Sequence, residues 1–207
     1  MSRLKSSTRR LLKRSSLFLL TLALAVGGYV FYLLATDNFH VVSAGQVYRS
    51  GQMGGTALVR AIEKYGIQCV INLRGEGAAA GWYREETNTT HQLGVAHLDF
   101  ALSAGREVSD EEINRILESI RAAPKPVLLH CNGGADRSAL ISALYRYTVK
   151  GETAAAASRE LSPLYGHIPY LYWHRSIAMD RSYWRYVSNR ASQTTNSLGT
   201  IESRSFK

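Results

Sequence analysis

Residues 130 to 138 read His130-Cys131-Asn132-Gly133-Gly134-Ala135-Asp136-Arg137-Ser138, and the apolar runs on either side of them decide the fold. Val127-Leu128-Leu129 before the stretch reads as a buried strand, and Ala139-Leu140-Ile141 after it opens a helical pattern. A cysteine therefore ends a strand and an arginine begins a helix, with a glycine-rich turn between them. Consecutive backbone N–H groups in such a turn point inward, and the helix N-terminus adds partial positive charge, so the turn is an anion-binding nest. A thiol in that nest loses its proton easily and faces the bound oxyanion as a nucleophile. The plainer reading, a small buried hydrophobe, fits most free cysteines but gives the glycines and the arginine nothing to do.

Outward from this loop the chain alternates strands with helices. Phe39 to Val42 and Gln46 to Ser50 read as short strands about the Ala44-Gly45 turn, and Leu58, Val59, Ile62 and Tyr65 recur at helical spacing up to Gly66. Ile67 to Leu73 is a strand parallel to the one that ends at Cys131, Trp82 to Leu93 a helix, and Val95 to Phe100 a further strand. Ser109-Asp110-Glu111-Glu112 is a capping box before the apolar stripe Ile113, Ile116, Leu117 and Ile120. Beyond Arg137 a helix is expected to about Lys150 and another from Thr153 to Leu161. Tyr165, Tyr170, Tyr172, Trp173, Tyr183, Trp184 and Tyr186 are expected to cover the core. The pattern predicts an α/β fold with a mainly parallel central sheet flanked by helices, and it places the Cys131 loop at the carboxyl edge of its strand, where such sheets hold ligands. Arg74 leaves its strand at the same edge; a structural salt bridge is its expected role and a pocket-facing one the alternative.

The Cys-x5-Arg spacing, with His before the Cys and Ser after the Arg, resembles the signature loop of the cysteine-dependent protein tyrosine and dual-specificity phosphatases. The stretch Val47-Tyr48-Arg49-Ser50-Gly51-Gln52 is similar to the opening segment of bacterial and fungal members, and the likeness covers residues 45–188. It implies that Cys131 attacks phosphorus, that Arg137 grips equatorial oxygens bidentately, that His130 orients the loop and lowers the thiol pKa, and that Ser138 aids breakdown of the intermediate. Asn132, Gly133, Gly134, Ala135, Asp136 and Arg137 are then the phosphate-binding residues, and no metal or cofactor is implied. The family's usual Gly after that Ser is replaced by Ala139, which is still small. A rhodanese-like sulfurtransferase would have a loop one residue shorter, and an arsenate-reductase-like enzyme would carry its cysteine near the start of the domain.

Such chemistry needs an acid for the leaving oxygen, and three aspartates compete. Asp110 lies in the first turn of a capped helix, where it stabilises the dipole. Asp99 follows the preceding strand but lacks the usual tryptophan-proline-aspartate pattern. Asp136 sits within a Gly-x-Asp-Arg-Ser run resembling bacterial phosphatases whose loop aspartate is assigned as the acid, and it ranks ahead of Asp99; the alternative is that it pairs with an arginine and shapes the loop. The loop carries no lysine and one carboxylate, which disfavours polyanions and favours a phosphomonoester on a protein or a simple molecule. A lipid phosphatase and a phosphate-binding module without turnover are the rivals.

Arg3, Lys5, Arg9, Arg10, Lys13 and Arg14 precede an uncharged run from Ser15 to Thr36 that is long enough for one bilayer crossing, for which about 20 apolar residues are needed. No Ala-x-Ala site follows, so an uncleaved anchor is preferred over a cleaved signal. The expected organisation is a basic cytoplasmic flank at 1–14, a transmembrane anchor at 15–36, a phosphatase domain at 37–190 and a flexible polar tail at 191–207. The positive-inside rule puts the domain outside the cytoplasm, in the periplasm of a Gram-negative cell. The flank holds six of the formal charges behind the net +9, leaving +3 elsewhere, so the basic balance argues for membrane topology and not for nucleic-acid binding. Two cysteines exclude a disulfide framework, and Cys69, four residues below the loop's level, reads as core.

Overall fold

In the computed structural model of the chain, residues 2–170 and 175–205 are described, with side chains in 13–170 and 175–193. Tyr172 and Trp173, expected over the core, lie outside the described residues. Packing divides the chain into two units, Met1–Thr36 and Asp37–Lys207. The first is one helix, α1 (Ser2–Ala35), of which Lys13–Ala35 is long and apolar enough to cross a membrane, as an anchor and a signal sequence both are.

The second unit is built on a five-stranded sheet ordered β1-β2-β5-β3-β4, from β1 (His40–Ser43), β2 (Val47–Ser50), β3 (Cys69–Asn72), β4 (Ala96–Asp99) and β5 (Val127–His130). β1 runs antiparallel to β2, and the other pairings are parallel. Between the strands lie α2 (Gly55–Tyr65), α3 (Gly81–Gln92) and α4 (Asp110–Ala122), followed by α5 (Arg137–Thr148), α6 (Ala154–Ala157) and α7 (Ile177–Ser205). Successive strand residues point to opposite faces. Val47, Cys69, Ile71, Val127 and Leu129 therefore pack with Ile113, Ile116, Leu117, Leu140 and Tyr183 from α4, α5 and α7, while Tyr48, Val70 and Leu128 pack with Leu58 and Ile62 of α2.

Local chemistry sets the ends of these elements. Gly66 closes α2 at φ 64°, and Ser109 Oγ accepts the Glu112 N–H at 3.2 Å to open α4. Two elements differ from expectation. The helix predicted over Thr153 to Leu161 shrinks to α6 followed by a 3₁₀ turn at Ser158–Glu160, because Glu160 is drawn inward to two arginines. The backbone from Ala191 to Ser205 continues α7, where composition suggested a flexible tail; Ser, Thr and Asn cost a running helix only up to about 0.7 kcal/mol each. Tyr183 and Tyr186 do cover the core, but Tyr170 is 86% exposed and Trp184 49%.

The register aligns Ser50, His130, Asn72 and Asp99 in one row across β2, β5, β3 and β4. All four strands thus end on polar residues at the same carboxyl edge, and the Cys131 loop rises from that row.

Candidate active site

Cys131 follows β5 directly and is buried at the foot of the turn that leads to α5. Gly134 takes φ +68°, and a Cβ there would lie 2.5 Å from the Gly51 nitrogen, so the turn needs glycine on both counts. The turn is docked on the segment after β2: the Gln52 N–H donates to the Asn132 carbonyl at 3.0 Å, and the Asn38 side-chain amide donates to the Gly133 carbonyl at 2.9 Å.

Ser138 Oγ lies 3.5 Å from Cys131 Sγ. Burial alone would raise the thiol pKa, but the Ser138 hydroxyl, the Arg137 charge and the backbone N–H groups of Ser138 and Gly134 outweigh it, and the thiol is held below its ordinary value. Cys69 is the contrast: it packs level with Val127, four residues lower, and burial pushes it up to about 11. Both thiols are free. Arg137 is anchored at one end only, its Nη1 donating to the carbonyls of Leu102 at 3.2 Å and Leu73 at 3.4 Å. Its buried Nε has no partner among the described residues, so a donor remains for an oxyanion over the loop.

His130 ends β5, and its buried Nδ1 has no partner among the described residues. Its Nε2 meets Glu86 Oε1 of α3 at 3.0 Å, and the same carboxylate holds His97 Nε2 at 2.9 Å and accepts from Gln52 Nε2 at 2.6 Å. Burial would raise Glu86, yet the hydrogen bonds from His130 and His97 prevail and it falls to about 2. Through Glu86, His130 ties the strand before Cys131 to the Gln52 segment, whose backbone N–H holds the Asn132 carbonyl.

The two candidate acids differ in their surroundings. Asp99 is engaged on both oxygens, accepting from Asn72 Nδ2 at 2.6 Å and from the Tyr83 hydroxyl at 2.7 Å, and it stands two strands from β5. Asp136 lies in the loop, where its Oδ1 meets Nδ1 of buried His167 at 2.7 Å; His167 Nε2 meets Asp180 of α7 at 2.9 Å. Burial would lower the His167 pKa, but the hydrogen bonds and charges of Asp136 and Asp180 prevail and hold it above its ordinary value. The partner of Asp136 is therefore a histidine, where the sequence suggested an arginine. Asp110 lies in the first turn of α4, where it meets Arg185 and Asn189 of α7.

Arg74 corrects its expected role as well. Among the described residues it forms no salt bridge; its guanidinium lies 3.7 Å over the Trp82 ring and donates to Gln52 Oε1 at 3.1 Å. Behind the loop, fully buried Arg49 pairs with Glu160 at 2.8 Å and lies 4.3 Å from the Tyr165 ring centroid. Sequence reading missed Glu86, His97, His167, Asp180 and Glu160. Glu86, the buried carboxylate on α3, left one usable trace, since α3 carries few apolar residues to bury. Among the described residues no group of three His, Cys, Asp or Glu side chains is placed to hold a metal ion.

Residues 35–204 match the protein family described as DSP-PTPase phosphatase fused to NAD+ kinase. The dual specificity protein phosphatase TpbA of Pseudomonas aeruginosa is 39% identical over 56 residues, which is 26% of this chain and 26% of that protein; the aligned stretch spans about a quarter of this curated relative. Among solved structures, that of P. aeruginosa TpbA superposes with a TM-score of 0.56 at 23% identity, covering 74% of this chain and 92% of the other. The core catalytic domain of the PP-IP phosphatase SIW14 from S. cerevisiae, in complex with citrate, superposes with a TM-score of 0.58 at 18% identity, covering 77% of this chain and 93% of the other. These likenesses establish a common fold.

Proposed function

The chain belongs to the family of dual-specificity-type phosphatase domains that its residues 35–204 match, and on that premise we propose that it hydrolyses phosphomonoesters through a cysteinyl-phosphate intermediate. The observation that carries the reading is the depressed thiol of Cys131 beneath a loop whose Arg137 keeps an unused buried donor. In this mechanism the Cys131 thiolate attacks phosphorus, while Arg137 and the N–H groups of the turn from Asn132 to Asp136 bind the equatorial oxygens as charge shifts onto them. The S–P bond forms as the ester P–O bond breaks, and the leaving oxygen takes a proton from an acid. A water molecule, whose proton passes to the carboxylate that protonated the leaving oxygen, then attacks phosphorus; the S–P bond breaks, phosphate leaves and the thiolate returns, with Ser138 donating to the departing sulfur.

Asp136 is the preferred acid because it belongs to the loop and meets His167 through Oδ1 alone, whereas both oxygens of Asp99 are committed to Asn72 and Tyr83. Asp99 then serves as a positioning residue for the exit of β3. The substrate class favoured is phosphotyrosine in proteins or a small aryl phosphomonoester, consistent with a solved TpbA relative in complex with pTyr. The helix Lys13–Ala35 acts as an uncleaved anchor, with the basic flank retained in the cytoplasm and the domain from Asp37 onward exported. The deciding experiment measures phosphate release from 4-nitrophenyl phosphate by the full chain and by Cys131→Ser. Release by the natural chain, abolished in the variant while tungstate still binds, is the expected result; equal activity in both removes the mechanism.

A further inference from the structure

Arg74 stands beside the Cys131 loop, held by Trp82 and Gln52 and paired with no carboxylate among the described residues. It follows Leu73, whose N–H donates to the His130 carbonyl at 2.9 Å and whose own carbonyl accepts from Arg137 at 3.4 Å. Its Nη1 donates to Gln52, whose backbone N–H in turn holds the Asn132 carbonyl of the loop at 3.0 Å. The guanidinium therefore hangs between the two elements that frame the nest, half-buried on the Trp82 face, with one of five N–H donors committed to a side chain. The backbone beneath it is set firmly: Asn72 Oδ1 accepts the Arg74 N–H at 2.8 Å, and Asn72 Nδ2 donates to the Gly75 carbonyl at 3.0 Å and to Asp99 at 2.6 Å. Gly75, at φ +80°, lies against Ala101 where a Cβ would fall 2.7 Å from that residue's own Cβ.

We propose that Arg74, stacked on Trp82 at the rim of the Cys131 loop, is a second anion subsite, so that preferred substrates carry another phosphate or carboxylate beside the phosphomonoester being cleaved. This deepens the phosphatase reading and rests on it. A guanidinium laid on an aromatic ring keeps its charge and holds its plane without an acidic partner, leaving its outer N–H groups for a planar or tetrahedral oxyanion. Burial, then the Arg137 charge, lower the Arg74 pKa, while Glu86 and Cys131 raise it. The carboxylates nearby do not compete. Glu86 is committed to His130, His97 and Gln52, and Asp99 to Asn72 and Tyr83. Glu76, two residues further on, is exposed and forms no ion pair with Arg74. The loop's own carboxylate, Asp136, is itself engaged, its Oδ1 meeting Nδ1 of His167 at 2.7 Å.

The test compares kcat/KM for the full chain in neutral detergent on matched pairs: a phosphotyrosine peptide with and without adjacent glutamates, the same peptide with a second phosphotyrosine, and a hexose monophosphate against its bisphosphate. The natural chain should favour the two-anion member of at least one pair by about 10-fold, carried mainly in KM, which corresponds to about 1.4 kcal/mol. The pair that responds identifies the source of the second anion. In Arg74→Gln the ratio should fall to about 1, and Arg74→Lys should keep part of it. The natural chain's own ratio should also fall as ionic strength rises, which tests the subsite even if the variants fold poorly. Turnover with the same ratio in natural and Arg74→Gln chains, insensitive to salt, overturns the subsite alone. Absence of turnover on every substrate by the natural chain overturns the phosphatase reading and the subsite with it.

Discussion

Glu86→Gln is the change whose cost is most directly worked from the structure. The carboxylate is buried on α3 and takes three hydrogen bonds, from His130, His97 and Gln52, which hold its pKa at about 2 against an ordinary 4.5. That difference corresponds to about 3 kcal/mol of stability at neutral pH, after burial has worked against it. The amide keeps one carbonyl acceptor but loses the charge, and its NH₂ group faces a partner that had been donating. In a folded unit of this size 1 kcal/mol moves Tm by about 2–4 °C, so the variant should melt about 6–12 °C lower at pH 7. The sign with pH is fixed, because a carboxylate with a lowered folded pKa stabilises above its unfolded value and loses that contribution as pH falls from 4.5 toward 2. The gap between natural and variant chains should therefore narrow between pH 5 and pH 3. Thermal melts of the full chain in detergent, followed by near-ultraviolet circular dichroism, measure both. A gap under about 2 °C at pH 7, or one constant down to pH 3, would refute the view that Glu86 is the ionised hub beneath the loop.

Arg137→Lys should lower kcat/KM on aryl phosphates by at least about 100-fold, since a point charge cannot make two parallel hydrogen bonds to equatorial oxygens; steady-state kinetics decide, and near-natural activity would count against the clamp. Asp136→Asn should slow alkyl phosphates, whose leaving group needs a proton, by about 100-fold more than 4-nitrophenyl phosphate, whereas Asp99→Asn should slow both alike; the reverse pattern would transfer the acid role to Asp99. His167→Gln should destabilise most below about pH 6.5 and least at high pH, because a raised histidine pKa contributes fully below its unfolded value and fades as pH rises through the folded one; melts from pH 5.5 to 9 check this. A reporter active only outside the cytoplasm, fused after Lys207, should be active, and protease added to spheroplasts should remove the domain; protection with a silent reporter would reverse the topology.

How far the sequence reached depends on the range of the interactions. The strand, turn and helix around Cys131 were legible because one contiguous stretch encodes them: the apolar run of β5, the glycine that must take φ +68° and the arginine that opens α5. The capping box of α4 was legible for the same reason. The partners of those residues were not. His167 lies 31 residues from Asp136 in the chain, and Glu86 lies 44 from His130. No periodicity or local motif ties such positions together, since their pairing depends on which helix lies over which strand end. Arg74 was expected in a salt bridge because nothing local to it marks Trp82, eight residues later on a different element, as the surface it stacks on.

One non-local feature was written in the sequence nonetheless, in the way the strands stop. Val47-Tyr48-Arg49 stops at Ser50, Cys69-Val70-Ile71 at Asn72, Ala96-His97-Leu98 at Asp99 and Val127-Leu128-Leu129 at His130. A strand buried on both faces, as β2, β3 and β5 are, has no local reason to end on a hydrogen-bonding side chain, and these three, with the half-exposed β4, mark the edge where the sheet meets polar chemistry. The register confirms that the four residues share one row. Their bonds then divide the work along it. Ser50 and His130 brace the segments beside the cysteine loop, while Asp99, through Asn72, sets the exit of β3 that carries Arg74. The electrostatics of the cradle follow from this division, and the lone carboxylate of the loop does not decide them. With Asp136 engaged by His167, and with Arg137 and Arg74 on the same edge without an acidic partner among the described residues, two guanidinium groups face an incoming phosphate although the turn contains no lysine.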